Sequence, residues 1–330
     1  MNKNIVVAVD AMGGDNAPYE IIKGGVEATK EFGIKVVLVG QEEVIKEHLS
    51  KMDYDKEKIE ILNATEVIST EEVPTTAIRR KKDSSIVVGL KCVKEGKADA
   101  FVSAGSTGAV LTGATVIIGR IKGIERPALG GLMPGRHGKT FMIDCGANVD
   151  CKPQYLVQFA KMGSIYSKYV IGKEDPKVAL VNIGTEREKG NALTKEVYGL
   201  LEEADGINFV GNIEPRDVSL GTMDVIVCDG FVGNTILKVT EGVAMNLMGL
   251  IKDALMDGMY KLAALLIKAP LRGIKDMFDS EEEGGAPFLG LTHLVVKAHG
   301  NAKARGIKNA IKRCIIFVEN DIVNKIEEQI

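Results

Sequence analysis

The chain has few of the residues, and none of the spacings, that mark the commoner catalytic sites. Its five cysteines, Cys92, Cys145, Cys151, Cys228 and Cys314, are odd in number and none stands at CxxC spacing, which argues against a disulfide framework or a zinc site. They read as reduced small hydrophobes, with Cys145 and Cys228 inside strands. No HExxH, GxSxG or GxGxxG pattern occurs, so the helix-borne zinc, the serine elbow and the dinucleotide fingerprint are all missing. The expectation is a site with no protein nucleophile, no cofactor and no metal. After the first strand, Gly13 and Gly14 lead to Asp15, a carboxylate where a pyrophosphate would have to approach. Gly138, Lys139 and Thr140 imitate the end of a P-loop, but Met133 stands where glycine is required and a strand follows the motif.

Histidine is scarce as well, with four in 330 residues. His48 and His137 read as solvent-facing or structural, and His293 as packed in an apolar stretch. His299, followed by Gly300 and Asn301 at a strand-to-helix junction, is the one placed to touch a ligand. Charge of either sign is not in excess: the net value is -3, with 26% charged and 45% hydrophobic residues. This is the balance of a soluble globular protein and argues against a nucleic-acid partner. No linker, low-complexity tract or internal repeat is visible, so residues 1–330 read as a single α/β domain. Residues 1–4 run straight into an apolar strand with no basic-then-apolar leader, and the expected location is cytoplasmic.

What is present is a repeated pattern of short apolar runs that stop at polar, glycine-bearing turns and pass into helical periodicity. The run at 5–9 ends in Asp10, Gly13 and Gly14; the run at 100–102 in Ser103, Gly105, Ser106, Thr107 and Gly108. The run at 140–144 ends in a turn containing Asn148, and that at 178–182 in Gly184, Thr185 and Lys189. The run at 225–228 ends in Asp229 and Gly230, with a helix starting near Asn234. Strands alternating with helices imply a doubly wound, mostly parallel sheet covered on both faces. Five such turns at one edge of one sheet would offer N–H groups, hydroxyls, amides and the Lys189 ammonium to a compact oxyanion.

Two further stretches stand out. Residues 242–278 form an amphipathic helical segment, with Leu247, Ile251, Leu255, Met259, Leu262 and Leu266 at helical spacing and Lys252, Lys261, Lys268, Arg272 and Lys275 among them. Charges interrupt it too often for a membrane span. Its amino half reads as a dimer interface or core helix pair, and its carboxyl half as an interfacial membrane contact or a site for an acidic protein partner. Residues 297–313 carry Lys303, Arg305, Lys308, Lys312 and Arg313 with no acidic neighbour in sequence, a solvated helix face or a patch that steers an acidic partner.

In this order the motifs DAMGGDNAP (10–18), VSAGSTGA (102–109), GIERPAL (123–129), DCGANVD (144–150) and NIGTEREKGN (182–191) run along the chain. GNIEPRD (211–217), CDGFVGNTILKVTEG (228–242), GGAPFLG (284–290) and VKAHG (296–300) continue the series. The chain closely resembles the bacterial phosphate acyltransferase family of phospholipid synthesis, the PlsX type. It departs from that pattern at Ser106, where the family usually has Asn, and at Asn301, where it usually has Ser. The resemblance implies a Rossmann-like fold related to phosphotransacetylases and to isocitrate and isopropylmalate dehydrogenases. It also implies transfer of a long-chain acyl group from acyl carrier protein to inorganic phosphate, giving acyl phosphate for a membrane glycerol-3-phosphate acyltransferase. A homodimer with peripheral membrane association is expected. On this reading the N–H groups of 105–108, with Ser106, Thr107, Asn148 and Lys189, hold phosphate. Asn234 stabilises the oxyanion and Asp229 orients the group, while Asp10, Gly13, Gly14, Ser103, Gly184, Thr185, Gly230 and His299 line the substrate site. The alternatives are a phosphotransacylase of short acyl-CoA and a non-catalytic membrane scaffold.

Overall fold

The computed structural model describes residues 4–256 and 261–330. Met259 lies outside the described residues, as do the side chains of Lys261, Leu262, Leu266, Lys268 and Lys275. The strands are β1 (Val6–Asp10), β2 (Lys35–Gly40), β3 (Ile59–Asn63), β4 (Ala100–Ser103), β5 (Ala128–Pro134), β6 (Lys139–Ile143), β7 (Lys177–Val181), β8 (Asn208–Ile213), β9 (Val225–Val227), β10 (Ala286–Leu289) and β11 (Leu294–Lys297). They form one sheet in the order β3-β2-β1-β4-β11-β10-β5-β6-β9-β7-β8. Because side chains alternate across a strand, neighbouring residues feed two separate cores. Val7, Val9, Ala100, Val102, Phe141 and Ile143 pack on one face; Ala8, Phe101, Met142 and Ile226 pack on the other. Burial on both faces is why these runs are continuously apolar.

The strand directions correct one expectation. β3, β2, β1, β4 and β11 run parallel, and β6, β9, β7 and β8 form a second parallel array. Between them β10 is antiparallel to both β11 and β5, and β5 is antiparallel to β6. Three reversals set the two arrays in opposite senses. The five polar turns therefore do not share one edge: those after β1 and β4 belong to the first array, and those after β6, β7 and β9 to the second. β5 and β10 are the seam between them, and the site is built across it.

The helix Gly230–Leu255 begins at the second array and buries only Gly230 and Gly233. Beyond its first turn it carries Val239, Val243, Met245, Leu247 and Leu250 exposed, with Met245 at 77% and Leu250 at 68%. It packs against the helix Lys261–Met277. No helix among the described residues is long and apolar enough to cross a membrane.

Candidate active site

In the first array the chain moves outward from β1 to β2 and β3 and then returns to the other side of β1 as β4. Adjacent strands leave in opposite directions there, which opens the crevice where doubly wound sheets bind ligands. The turns at this point are tied together by buried polar groups. Ser103 Oγ donates to Asp10 Oδ2 at 2.7 Å, Gly105 N donates to Ser103 Oγ at 3.0 Å, and Met12 N donates to Asp10 Oδ1 at 3.1 Å. Burial raises the Asp10 pKa, against hydrogen bonds from Ser103, Ser85 and the following backbone that lower it. A side chain at Gly13 would sit 2.8 Å from Gly105 N, and Gly14 has φ +107°, so the two backbones can approach only as glycines. Ser106 caps the next helix, accepting from Ala109 N at 3.4 Å. Asp10, Gly13, Gly14, Ser103 and Gly105 thus form one cluster that shapes the turn carrying Ser106, Thr107 and Gly108.

In the second array the organiser is Asp144, fully buried after β6. Its carboxylate accepts from Leu129 N (3.0 Å), Gly146 N (3.2 Å), Ala147 N (3.0 Å), Asn148 N (2.6 Å) and Asn148 Nδ2 (2.8 Å). The Asn148 amide also donates to Pro127 O at 2.8 Å. Its amide is therefore spent on Asp144 and on the segment before β5, and Asn148 holds backbone in place. Gly230 N donates to Asn148 O at 2.7 Å, and Gly233 lies so close to the Asp144 carbonyl that a side chain has no room.

These contacts move the start of the long helix. The sequence reading begins it near Asn234, but it begins at Gly230, with Asp229 as N-cap accepting from Val232 N at 2.8 Å. Gly230 and Gly233, which look like turn residues in sequence, are glycines because the helix packs against the 144–148 turn. Asn234 lies one turn in, beside Gly146.

The turn after β7 lies apart. Gly184 is buried, whereas Thr185 and Lys189 are exposed; Asn182 Nδ2 donates to Lys189 O at 3.1 Å. A cavity of about 350 Å³ here is lined by Asn182, Ile183, Gly190, Thr194 and Asp229. The first turn of the long helix divides this cavity, which Asp229 faces, from a larger one that Asn234 faces.

The larger cavity, about 570 Å³, spans the seam. Its polar lining includes Thr107 from the first array, Gly146 and Asn234 from the second, and Lys238, Lys297 and His299. Its apolar lining includes Leu132, Met133, Leu237, Met277 and Phe278. A neighbouring cavity of about 440 Å³ adds Ala244, Met245 and Met248, with Glu241, Phe278, Asp279 and His299 in both walls. Of the residues expected from sequence, Thr107, Asn234 and His299 meet here; Asp10, Asp144 and the glycines support them from behind. Asn301 N donates to His299 Nδ1 at 3.4 Å, which leaves Nε2 as the ring atom available to a ligand. Cys145 also lines the cavity, but burial pushes its thiol well above the usual range, with the Asp144 charge adding to the effect. It is no thiolate nucleophile at neutral pH.

Lys297 is the site residue that the sequence reading did not single out. It closes β11, is 8% exposed, and has a pKa pushed down to about 8, first by burial and in smaller part by Lys238, against Asp10 and Asp15, which raise it. The signal was a lysine ending an otherwise apolar strand, LVVK. The basic stretch beyond it is less free than its sequence suggests. Arg305 pairs with Asp279 and Glu282, Lys308 with Glu31, and Arg313 with Glu283. An acidic partner would find these three charges already engaged.

A family described as "Fatty acid synthesis protein" matches residues 5–325. A phosphate acyltransferase from Clostridium kluyveri is 52% identical over 327 residues, covering 99% of this chain and 98% of the relative. One from Clostridium acetobutylicum is 51% identical over 328 residues, with 99% of each chain covered. A solved phosphotransacetylase from Streptococcus pyogenes covers 98% of this chain and 95% of its own at a TM-score of 0.62 and 18% identity, a likeness of fold. Matched from end to end by a family and by relatives of one description, on a fold shared with phosphotransacetylases, the chain belongs to the bacterial phosphate acyltransferase family.

Proposed function

We propose that the protein transfers a long-chain acyl group from acyl carrier protein to inorganic phosphate, with phosphate itself as nucleophile. The observation that carries this reading is the mixed lining of the cavity across the seam: ammonium groups, Thr107 and the Asn234 amide together with methionine, leucine and phenylalanine side chains. Such a site fits a product that is an anion at one end and a hydrocarbon at the other. A phosphate oxygen attacks the thioester carbonyl carbon, the carbonyl oxygen gains negative charge facing Asn234, and the C–S bond then breaks. The thiol leaves as thiolate, with a reference pKa near about 8.5, so it needs little acid assistance. Catalysis rests on positioning and on charge stabilisation. Lys189, exposed on the turn after β7, is assigned to the capture of phosphate.

The test is acyl-phosphate formation from palmitoyl carrier protein and phosphate, run beside acetyl-CoA and phosphate. The expected result is turnover with the carrier substrate at least about 100-fold above that with acetyl-CoA, since each buried CH₂ contributes about 0.8 kcal/mol. The Lys189→Ala variant is expected to need more phosphate for saturation. Preference for acetyl-CoA would instead favour the short-chain reading.

The exposed stripe Val239, Val243, Leu247 and Leu250 is assigned to a second copy of the chain, and the exposed Ile267, Ile274 and Met277 to a phospholipid surface that receives the product for a membrane glycerol-3-phosphate acyltransferase. Ile274→Glu is expected to abolish flotation with anionic vesicles while the sedimentation coefficient stays that of a dimer. Undiminished flotation, or a monomer, would refute this division of the helix pair.

A further inference from the structure

Lys297 is a buried cation with an incomplete set of partners. Its Nζ donates to Ala104 O at 3.2 Å and to Ala298 O, two neutral carbonyls, and an ammonium carries three donors. Among the described residues no carboxylate lies within ion-pair distance of it. Other carboxylates of the cavity are committed elsewhere: Glu241 pairs with Lys238 at 3.2 Å, Asp279 with Arg305, and Glu283 with Lys139 and Arg313. Asp10 is held by Ser103. Asp10 and Asp15 favour the charge without pairing with it directly, and a buried ammonium in no direct ion pair calls for an anion. The cavity supplies the room, with Lys238 on its wall from the long helix, one turn beyond Asn234. Ala104 precedes the turn that carries Ser106 and Thr107, so the same ammonium also fastens that turn.

We infer that Lys297 is a direct counter-ion of the substrate phosphate, its third N–H meeting a phosphate oxygen held between itself and Lys238. The inference rests on the acyl-to-phosphate reading and adds to it a residue that touches the nucleophile. It carries a pH signature, because burial, with a smaller part from Lys238, brings the ammonium's pKa down to about 8 against Asp10 and Asp15, which raise it. Above that pH phosphate keeps its charge while Lys297 loses its own.

The experiment is kcat/KM for phosphate in the wild type from about pH 7 to pH 9.5, a ratio that reports groups of the free enzyme. A descent of about tenfold per pH unit above about pH 8 is expected in the wild type. Lys297→Met should lose the descent and raise the KM for phosphate at least about tenfold, with the KM for acyl carrier within about twofold. A flat wild-type profile overturns the assignment, and so does a folded Lys297→Met variant that saturates at wild-type phosphate. The wild-type profile stands even where the variant does not fold. Absence of acyl phosphate from the wild type at any pH removes the functional reading itself, whereas turnover without the pH descent removes only the role of Lys297.

Discussion

Asn234→Ala is expected to lower kcat for acyl-phosphate formation by about 10²- to 10³-fold, the usual effect of losing one oxyanion donor. The geometry makes this side chain unusually ready for that task. Asp229 caps the helix through Val232 N, and Gly230 and Gly233 let the helix press onto the 144–148 turn. Asn234 therefore starts from a rigid platform. Among the described residues its amide has no hydrogen-bond partner, although it faces the cavity. With the backbone held and no bond to break, only the side-chain amide has to turn towards the charge that develops beside it. For the same reason, the melting temperature of Asn234→Ala should stay within about 2 °C of the wild type, since no hydrogen bond of the fold is lost. A kcat within about threefold of wild type would show that the oxyanion is stabilised elsewhere.

Asp144→Ala should have the opposite profile, a loss of stability of about 3–5 kcal/mol. Five N–H donors converge on this carboxylate, four of them from the turn that receives the long helix. Removing the acceptor leaves these donors buried and unmatched, at about 1–3 kcal/mol for each that cannot reach water. Asp144→Asn keeps the volume but turns one acceptor into a donor facing N–H groups, so it should also destabilise. Urea unfolding of both variants gives the answer in its midpoint. A change below about 1 kcal/mol would mean that the turn is held by its packing alone.

The parallel arrays were legible because their strands are buried on both faces and end at turn residues that cannot continue a strand. Their opposite senses were not legible. Alternation in VIVCD or FMID records which face a residue takes and carries nothing about the direction of the neighbouring strand. β5 was hidden by its own composition, ALGGLMP, whose glycines and proline read as a loop; Gly130 is there because the Phe141 ring lies against it. Site residues were readable where the turn chemistry was local. Asp229 and Asn234 stand out beside Gly230, but their division between two cavities depends on where the helix starts, and that is decided by the distant 144–148 turn. Asn148 looks like a ligand in sequence because an amide in a glycine turn can bind an anion or hold backbone. Lys297 is inconspicuous in sequence because Ala104, whose carbonyl accepts from its ammonium, lies far away in the chain.

The same distance has a consequence for how the protein comes into being. Asp15 N donates to Gly300 O at 2.8 Å, and Asn16 Nδ2 donates to Asn301 O at 2.8 Å across 285 positions of sequence. The first polar turn to leave the ribosome thus waits for nearly the last. Until residue 301 has been made, a nascent chain holds Asp10 and its glycines without the strand that supplies Lys297 and His299. Closure over so long a span makes the anion pocket a late event in folding, bound to the completion of the whole sheet.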